Sequence, residues 1–288
     1  MNDDVGTQER LFQRPLTEAV DKARQVITDA IHEHSPEAVC LLYSGGKDSS
    51  VVLDVCSEYA DYIVHIDTGV GLKDTRDFVD AECERRGLNL IVETGESYRE
   101  MVMKHGFPGP AAHLYAYTLL KERALRKVRR RFVKHRVQRV MFLSGVRRDE
   151  SARRMVNGQQ GHVMRDGSIV WVAPLLDWQN DEMSAYRKAH DVRVSPVYEH
   201  IHISGECLCG AFGSPEELNE LEWFYPNDPT IKMLRELEDE VEASGITPCQ
   251  WGPGRGIDFK QRTSGMLCSS CELRLPGMED DAAWEESA

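Results

Sequence analysis

In LLYSGGKDSSVVL (Leu41–Leu53), two glycines, a lysine, an aspartate and two serines stand between apolar runs. A strand feeding a glycine-rich turn and then a helix gathers backbone N–H groups at the positive helix end, a ready anion site. Gly45 and Gly46 carry no Cβ, so backbone can approach a phosphate closely. The pattern is not a Walker A loop, which needs GxxxxGK followed by Ser or Thr; Leu41 and Asp48 stand where that motif has its first Gly and its hydroxyl. A carboxylate beside phosphate does not bind the anion itself. Asp48 therefore either holds Mg2+ or caps the following helix, and both readings stand. Asp67, in HIDTG (His65–Gly69), is a weaker metal candidate.

Three further groups could do chemistry. LSGVRRDESARR (Leu143–Arg154) puts Arg147, Arg148 and Arg153 in a loop after an expected strand, suited to an anionic group. Between Lys121 and Arg139 basic side chains concentrate, Arg126, Arg129, Arg130 and Lys134 among them, against the single acid Glu122. That segment is either a solvated helix face paired with acidic neighbours, or a phosphate track for DNA, RNA or an acidic partner. Finally, Cys207-x-Cys209 and Cys268-x-x-Cys271 are two close thiol pairs. Four such sulfurs suit zinc or an iron–sulfur cluster, with Cys249 a spare thiol or an alternative ligand. Cys40, Cys56 and Cys83 are expected to be buried small apolar residues.

The elements that must position these groups follow from periodicity. Leu16–His34 reads as a helix, Ala38–Tyr43 as a strand, Ser49–Tyr59 as helix, Tyr62–Ile66 as strand, Lys73–Arg86 as helix and Leu88–Val92 as strand. A long helix is expected over His113–His135, with Leu120, Ala124, Val128 and Phe132 inward. Val140–Leu143 is a further strand, Ile169–Val172 an edge strand, and Asp181–His190 a helix. This alternation argues for an α/β domain with a doubly wound parallel sheet over residues 1–200. From 201 to 288 glycine, cysteine and proline become frequent around helices at Pro215–Trp223 and Asp228–Ala243, which reads as a smaller Cys-containing C-terminal module with an acidic tail. GFPGP (Gly106–Pro110), ahead of His113 and Tyr117, is a rigid rim on the cleft or a structural loop.

The 288 residues carry a formal net charge of -13, against a globally basic nucleic-acid coat. No stretch reaches the roughly 18 uncharged apolar residues that cross a bilayer, and MNDDVGTQERLFQ is too polar for a signal peptide, so a cytoplasmic location without membrane contact is expected.

SGGKDS after a strand resembles the PP-loop, or adenine nucleotide α-hydrolase-like, proteins. HIDTG, LSGVRRDESARR, VAPLLDW (Val172–Trp178) and SPVYE (Ser195–Glu199) narrow the resemblance to the phosphoadenosine phosphosulfate reductase family, over roughly residues 38–212. The resemblance implies ATP cleaved between its α and β phosphates. Ser44, Gly45, Gly46, Asp48 and Ser49 would bind the leaving pyrophosphate, Lys47 would neutralise its charge, and Asp67, Gly145 and Arg153 would complete the nucleotide site. Family members that reduce an adenylylated sulfate tend to lack the loop lysine and carry a terminal Glu-Cys-Gly-type motif; this chain keeps Lys47 and ends in acidic residues. It thus resembles ATP sulfurylase small subunits and the sulfur-handling proteins of DNA phosphorothioation more than a sulfonucleotide reductase. The family also implies a 4Fe-4S cluster, with Zn2+ as the alternative, although SGECLCG departs from the Cys-x-x-Cys of that place. The expectation is an ATP- and Mg2+-dependent enzyme in which Lys47, Asp48, Arg147 and Arg148 act on ATP and a sulfur-bearing or anionic second substrate. DNA or a sulfur-transfer protein is the further partner considered. The alternatives are a sulfonucleotide reductase and a nucleotide-dependent nucleic-acid-binding subunit without turnover.

Overall fold

Five consecutive apolar residues, Ala38–Leu42 (β1), are all buried, as a strand is only when both faces of its sheet are covered. The computed structural model describes residues 14–150, 161–201 and 203–253. β1 lies inside a six-stranded sheet with β2 (Tyr62–Asp67), β3 (Leu90–Thr94), β4 (Val140–Leu143), β5 (Val163–Asp166) and β6 (Ile169–Val172), in the order β3-β2-β1-β4-β6-β5. All pairings are parallel except β5 with β6. The order reverses between β1 and its two neighbours, so the carboxyl ends of β1, β2 and β4 open on a switch point where α/β proteins build ligand sites.

Helices cover both faces. On one, α1 (Leu16–His34), α2 (Lys47–Cys56), α3 (Lys73–Arg86) and a helix at Asn180–Ala189 (α7 below) pack Ala23, Val52, Val79 and Met183 against Leu41 and Leu143. On the other, Ala124, Leu125 and Val128 meet Cys40, Leu42 and Phe142. Between them the chain forms α4 (Tyr98–His105), α5 (His113–Tyr117) and α6 (Arg123–Phe132), and after α7 come α8 (Pro196–Ile201), α9 (Pro215–Phe224) and α10 (Pro229–Ala243). A third core joins Tyr98, Val102, Phe107 and Leu120 to Leu208, Leu218, Leu234 and Trp251. The residues after 200 thus share a core with the helices of the first half.

Several expectations are corrected. The helix expected over His113–His135 contains a π segment at Thr118–Glu122 and stops at Phe132. Its wider turn carries Lys121 inward, to 3% exposure, rather than onto the basic surface. Ile169–Val172 is not the edge; the polar strand β5, antiparallel to it, is. Of the two readings of GFPGP, the packing supports the structural loop: Phe107 is buried in the third core, and its N–H donates to the Pro248 carbonyl.

The strip Ser204–Leu208 is pressed along the loop after β2. Leu72 N–H donates to Gly205 O, Leu208 N–H to Val70 O, and Thr68 Oγ1 to Glu206 O at 3.0 Å. A methyl group at position 71 would lie 2.5 Å from the Glu206 carbonyl oxygen, a contact only backbone movement relieves. Gly71→Ala is expected to cost about 1–3 kcal/mol in urea unfolding. Gly109→Ala, whose methyl would meet, among the described residues, Pro253 alone and at 3.7 Å, stays within about 0.5 kcal/mol of wild type.

Candidate functional site

β1 ends at Leu42 and α2 begins at Lys47, with Gly46 as its N-cap and no side chain capping it. The first N–H groups of α2 therefore keep their free donors. The serines of the loop face inward and fix its shape: Ser49 Oγ donates to Gly46 O at 3.0 Å and lies 3.0 Å from Ser44 Oγ, while Gly46 N–H donates to Ser44 Oγ. Gly45 turns the chain at φ 77°, a left-handed conformation natural to glycine, and its carbonyl accepts from Ser195 N–H at 2.9 Å.

Asp48 does not cap the helix. It sits in the first turn and accepts from Arg147 Nη2 at 3.3 Å. Arg147 is 0% exposed at its side chain and also donates to Asn180 Oδ1 and the Trp178 carbonyl. It is a group that orients Asp48, rather than one presented to a ligand as its position in LSGVRRDESARR suggests. Gly145 backs onto the same turn, its Cα face against Ser49 N. Asp67, at the end of β2, accepts from Gly69 N–H and from Arg76. Arg153 lies outside the described residues.

Lys47 is half-buried, its ammonium 5.9 Å from the centroid of Tyr198, and among the described residues it has no carboxylate partner. Above the loop lies the strip: Ser204 Cβ would be 2.9 Å from a methyl group at Gly46. Thr75 Oγ1 holds the strip from α3 by donating to Ser204 O at 2.6 Å. Behind it, Lys121 Nζ donates to Glu206 Oε2 at 3.1 Å, both side chains under a tenth exposed.

Arg148 is committed elsewhere, donating to Asp177 Oδ1 at 2.9 Å; His162 Nε2 and Lys22 meet Oδ2 of the same carboxylate. Burial alone would raise the Asp177 carboxyl, but hydrogen bonds from Arg148, His162 and Lys22 outweigh it and hold it at about 2. A depressed carboxylate stabilises above its unfolded pKa, about 3.9, and loses that contribution as pH falls through its folded value. Asp177→Asn is thus expected to lower stability by about 0.5–1 kcal/mol at neutral pH. In urea midpoints measured from pH 7 downward, the deficit should hold to about pH 4 and close towards pH 2.

The basic segment is largely paired within the chain. Arg126 binds Glu122, Arg131 binds Glu93, Arg123 binds Glu96, and Arg129 donates to Ser168 Oγ. Lys134 donates to the Arg130 carbonyl, and Arg130 is exposed. Cys40, Cys56 and Cys83 are buried, burial pushing the Cys40 thiol up to about 12 and Cys83 to about 11.

Cys207 is half-buried and Cys209 buried, their backbone tied by Tyr98 Oη donating to Cys209 O and Trp251 Nε1 to Leu208 O. Cys268 and Cys271 lie outside the described residues. With Cys249, half-buried against the same core, the described thiols of this region number three, fewer than the four ligands of a structural zinc or a cuboidal cluster. Among the described residues no group of three or more His, Cys, Asp or Glu side chains is placed to hold a metal ion. Among them too, no helix is long and apolar enough to cross a membrane.

Tyr198, Glu206, Lys121 and Asn180 escape sequence reading as site residues. Tyr198 lies in SPVYE and Glu206 in SGECLCG, but what each of the four touches is set by tertiary contact.

A parallel sheet with a switch point, and SGGKDS bridging its central strand to a helix, define a PP-loop protein of the adenine nucleotide α-hydrolase-like fold. The sequence profile of the phosphoadenosine phosphosulfate reductase domain matches residues 38–207. The chain belongs to that family. An uncharacterized protein of Methanocaldococcus jannaschii is 28% identical over 187 residues, 63% of this chain and 42% of that protein, so the chain spans less than half of this relative. A phosphoadenosine 5'-phosphosulfate reductase of Xanthomonas euvesicatoria is 29% identical over 178 residues, 60% of this chain and 70% of the reductase. Among solved structures, the phosphoadenylyl-sulfate reductase of Candida auris superposes with a TM-score of 0.47 at 17% identity, covering 64% of this chain and 89% of that one. A U34-tRNA thiolase of Methanococcus maripaludis with its 4Fe-4S cluster gives 0.44 at 16% identity, over 63% and 65%. Scores below 0.5 carry no residue correspondence.

Proposed function

We propose that the chain is an ATP pyrophosphatase that activates a second, anionic substrate by adenylylation, in sulfur metabolism or sulfur incorporation. An oxygen of the acceptor attacks the α phosphorus; the bond from that phosphorus to the bridging oxygen breaks, and pyrophosphate leaves with the electron pair. Charge grows on the leaving group, so donors fixed in advance where it grows contribute most to the rate. The observation that carries this reading is Lys47, half-buried at the uncapped start of α2 with no carboxylate partner among the described residues. A lysine there serves a substrate whose β and γ phosphates reach it. The leading N–H groups of α2 add to the same charge.

Asp48 would hold Mg2+, which supplies charge neutralisation to the phosphates. Arg147 takes one carboxylate oxygen and fixes the rotamer, leaving the other for the cation. The Cys207–Cys209 pair orders the C-terminal segment or carries sulfur.

A second reading, sulfonucleotide reduction, is favoured by the Xanthomonas relative. It needs a nucleophilic thiol, and burial raises Cys40, Cys56 and Cys83 in the opposite direction. Assays of pyrophosphate from ATP with sulfate and other oxyanion acceptors, beside sulfite from adenylyl sulfates with thioredoxin, separate the two. Pyrophosphate release is the expected result; sulfite without pyrophosphate overturns it.

A further inference from the structure

Lys47 is not the only cation at the ring of Tyr198. The guanidinium carbon of Arg187, on α7, also lies 5.9 Å from the centroid of that ring. Both charges sit at the same distance from one centroid, which bounds their separation at twice that distance. Arg187 has no carboxylate partner among the described residues, and its Nε is buried without a hydrogen bond. Several other arginines are met by carboxylates: Arg85, Arg86 and Arg193 converge on Glu82, Arg148 on Asp177 and Arg235 on Glu222. Two cations drawn to one ring repel, and a half-buried guanidinium with no acceptor for Nε among the described residues leaves a strong donor unused.

The arrangement is held in place from both sides. Ser195 N–H donates to Gly45 O, so the start of α8, and Tyr198 one turn on, is pinned to the loop. α7 is pinned by Tyr186 Oη donating to Asp54 of α2 at 2.9 Å, and Arg187 is the next residue. The tyrosine face attracts both cations and keeps them from collapsing onto the surface.

We propose that Arg187 is a second phosphate-binding residue of the loop, which with Lys47 clasps the terminal phosphate of ATP across Tyr198. This rests on the proposed use of ATP. An arginine fork suits a terminal phosphate, which offers two free oxygens to parallel N–H groups. On that reading the loop and Lys47, at the start of α2, take the β and γ phosphates, so AMP, which lacks them, does not reach Arg187.

The test is calorimetric binding of AMP and of the non-hydrolysable α,β-methylene analogue of ATP, with Mg2+, to wild type, Arg187→Met and Arg187→Lys. Expected is a loss of about tenfold to a hundredfold in analogue affinity for Arg187→Met, partial recovery in Arg187→Lys, and unchanged AMP affinity, which also reports a folded loop. Equal analogue affinity in wild type and Arg187→Met overturns the assignment and leaves ATP use standing. Parallel loss of AMP and analogue binding overturns it too, because Arg187 would then hold the loop and not a phosphate. A wild type that binds the analogue no better than AMP overturns ATP use itself, and the clasp with it.

Discussion

Lys47→Met is expected to lower pyrophosphate release from ATP by about two to three orders of magnitude in kcat, the usual consequence of removing one fixed donor from a developing charge. The change keeps the length and apolar stem of the side chain. Ser49 and Ser44 set the loop through their own hydrogen bonds, so the variant should stay folded and bind AMP as wild type does. Initial rates by a pyrophosphate-coupled assay decide it. A rate within about threefold of wild type, well under the effect of a lost donor, removes the support for adenylylation.

The second large effect is on stability. Lys121 and Glu206 are an ion pair withdrawn from water at 3.1 Å, between the π segment and the strip over the loop. Removing one member leaves the other charged and buried, and Lys121→Met or Glu206→Leu is each expected to cost about 3–5 kcal/mol. The double variant Lys121→Met/Glu206→Leu should recover much of that loss, since an apolar pair of similar volume carries no desolvation cost. Urea midpoints of the four proteins form the cycle, and additive losses would show that the two residues act independently.

The layers of the sheet are legible in the sequence because β1, β2 and β4 are buried on both faces and so read as continuous apolar runs between turn signals. SGGKDS is legible for a different reason: its backbone requirement leaves glycine and small residues at fixed offsets. β5 escapes because Val163–Asp166 is mostly exposed and has no apolar alternation to betray it. The π segment escapes because a single extra residue in a turn barely disturbs helical spacing, yet it converts Lys121 from a surface charge into a buried one. Arg147 is misjudged for the complementary reason. Its position after a strand indicates a substrate arginine, but only the fold brings Asp48, Asn180 and the Trp178 carbonyl around it. Arg187 sits in an ordinary amphipathic helix, and nothing in its neighbours marks it before α8 is docked.

The strip Ser204–Leu208 also fixes when the site can exist. Thr68 is bonded to a carbonyl 138 residues further along the chain. A contact of that span forms only after the entropy of closing a long loop has been met. During synthesis the glycine-rich turn emerges early, while its cover and the Ser195 anchor arrive late. A nascent chain that has not yet reached Ser195 lacks both the cover and the anchor of the glycine-rich turn, so the turn takes its final surroundings only after the strip has been made.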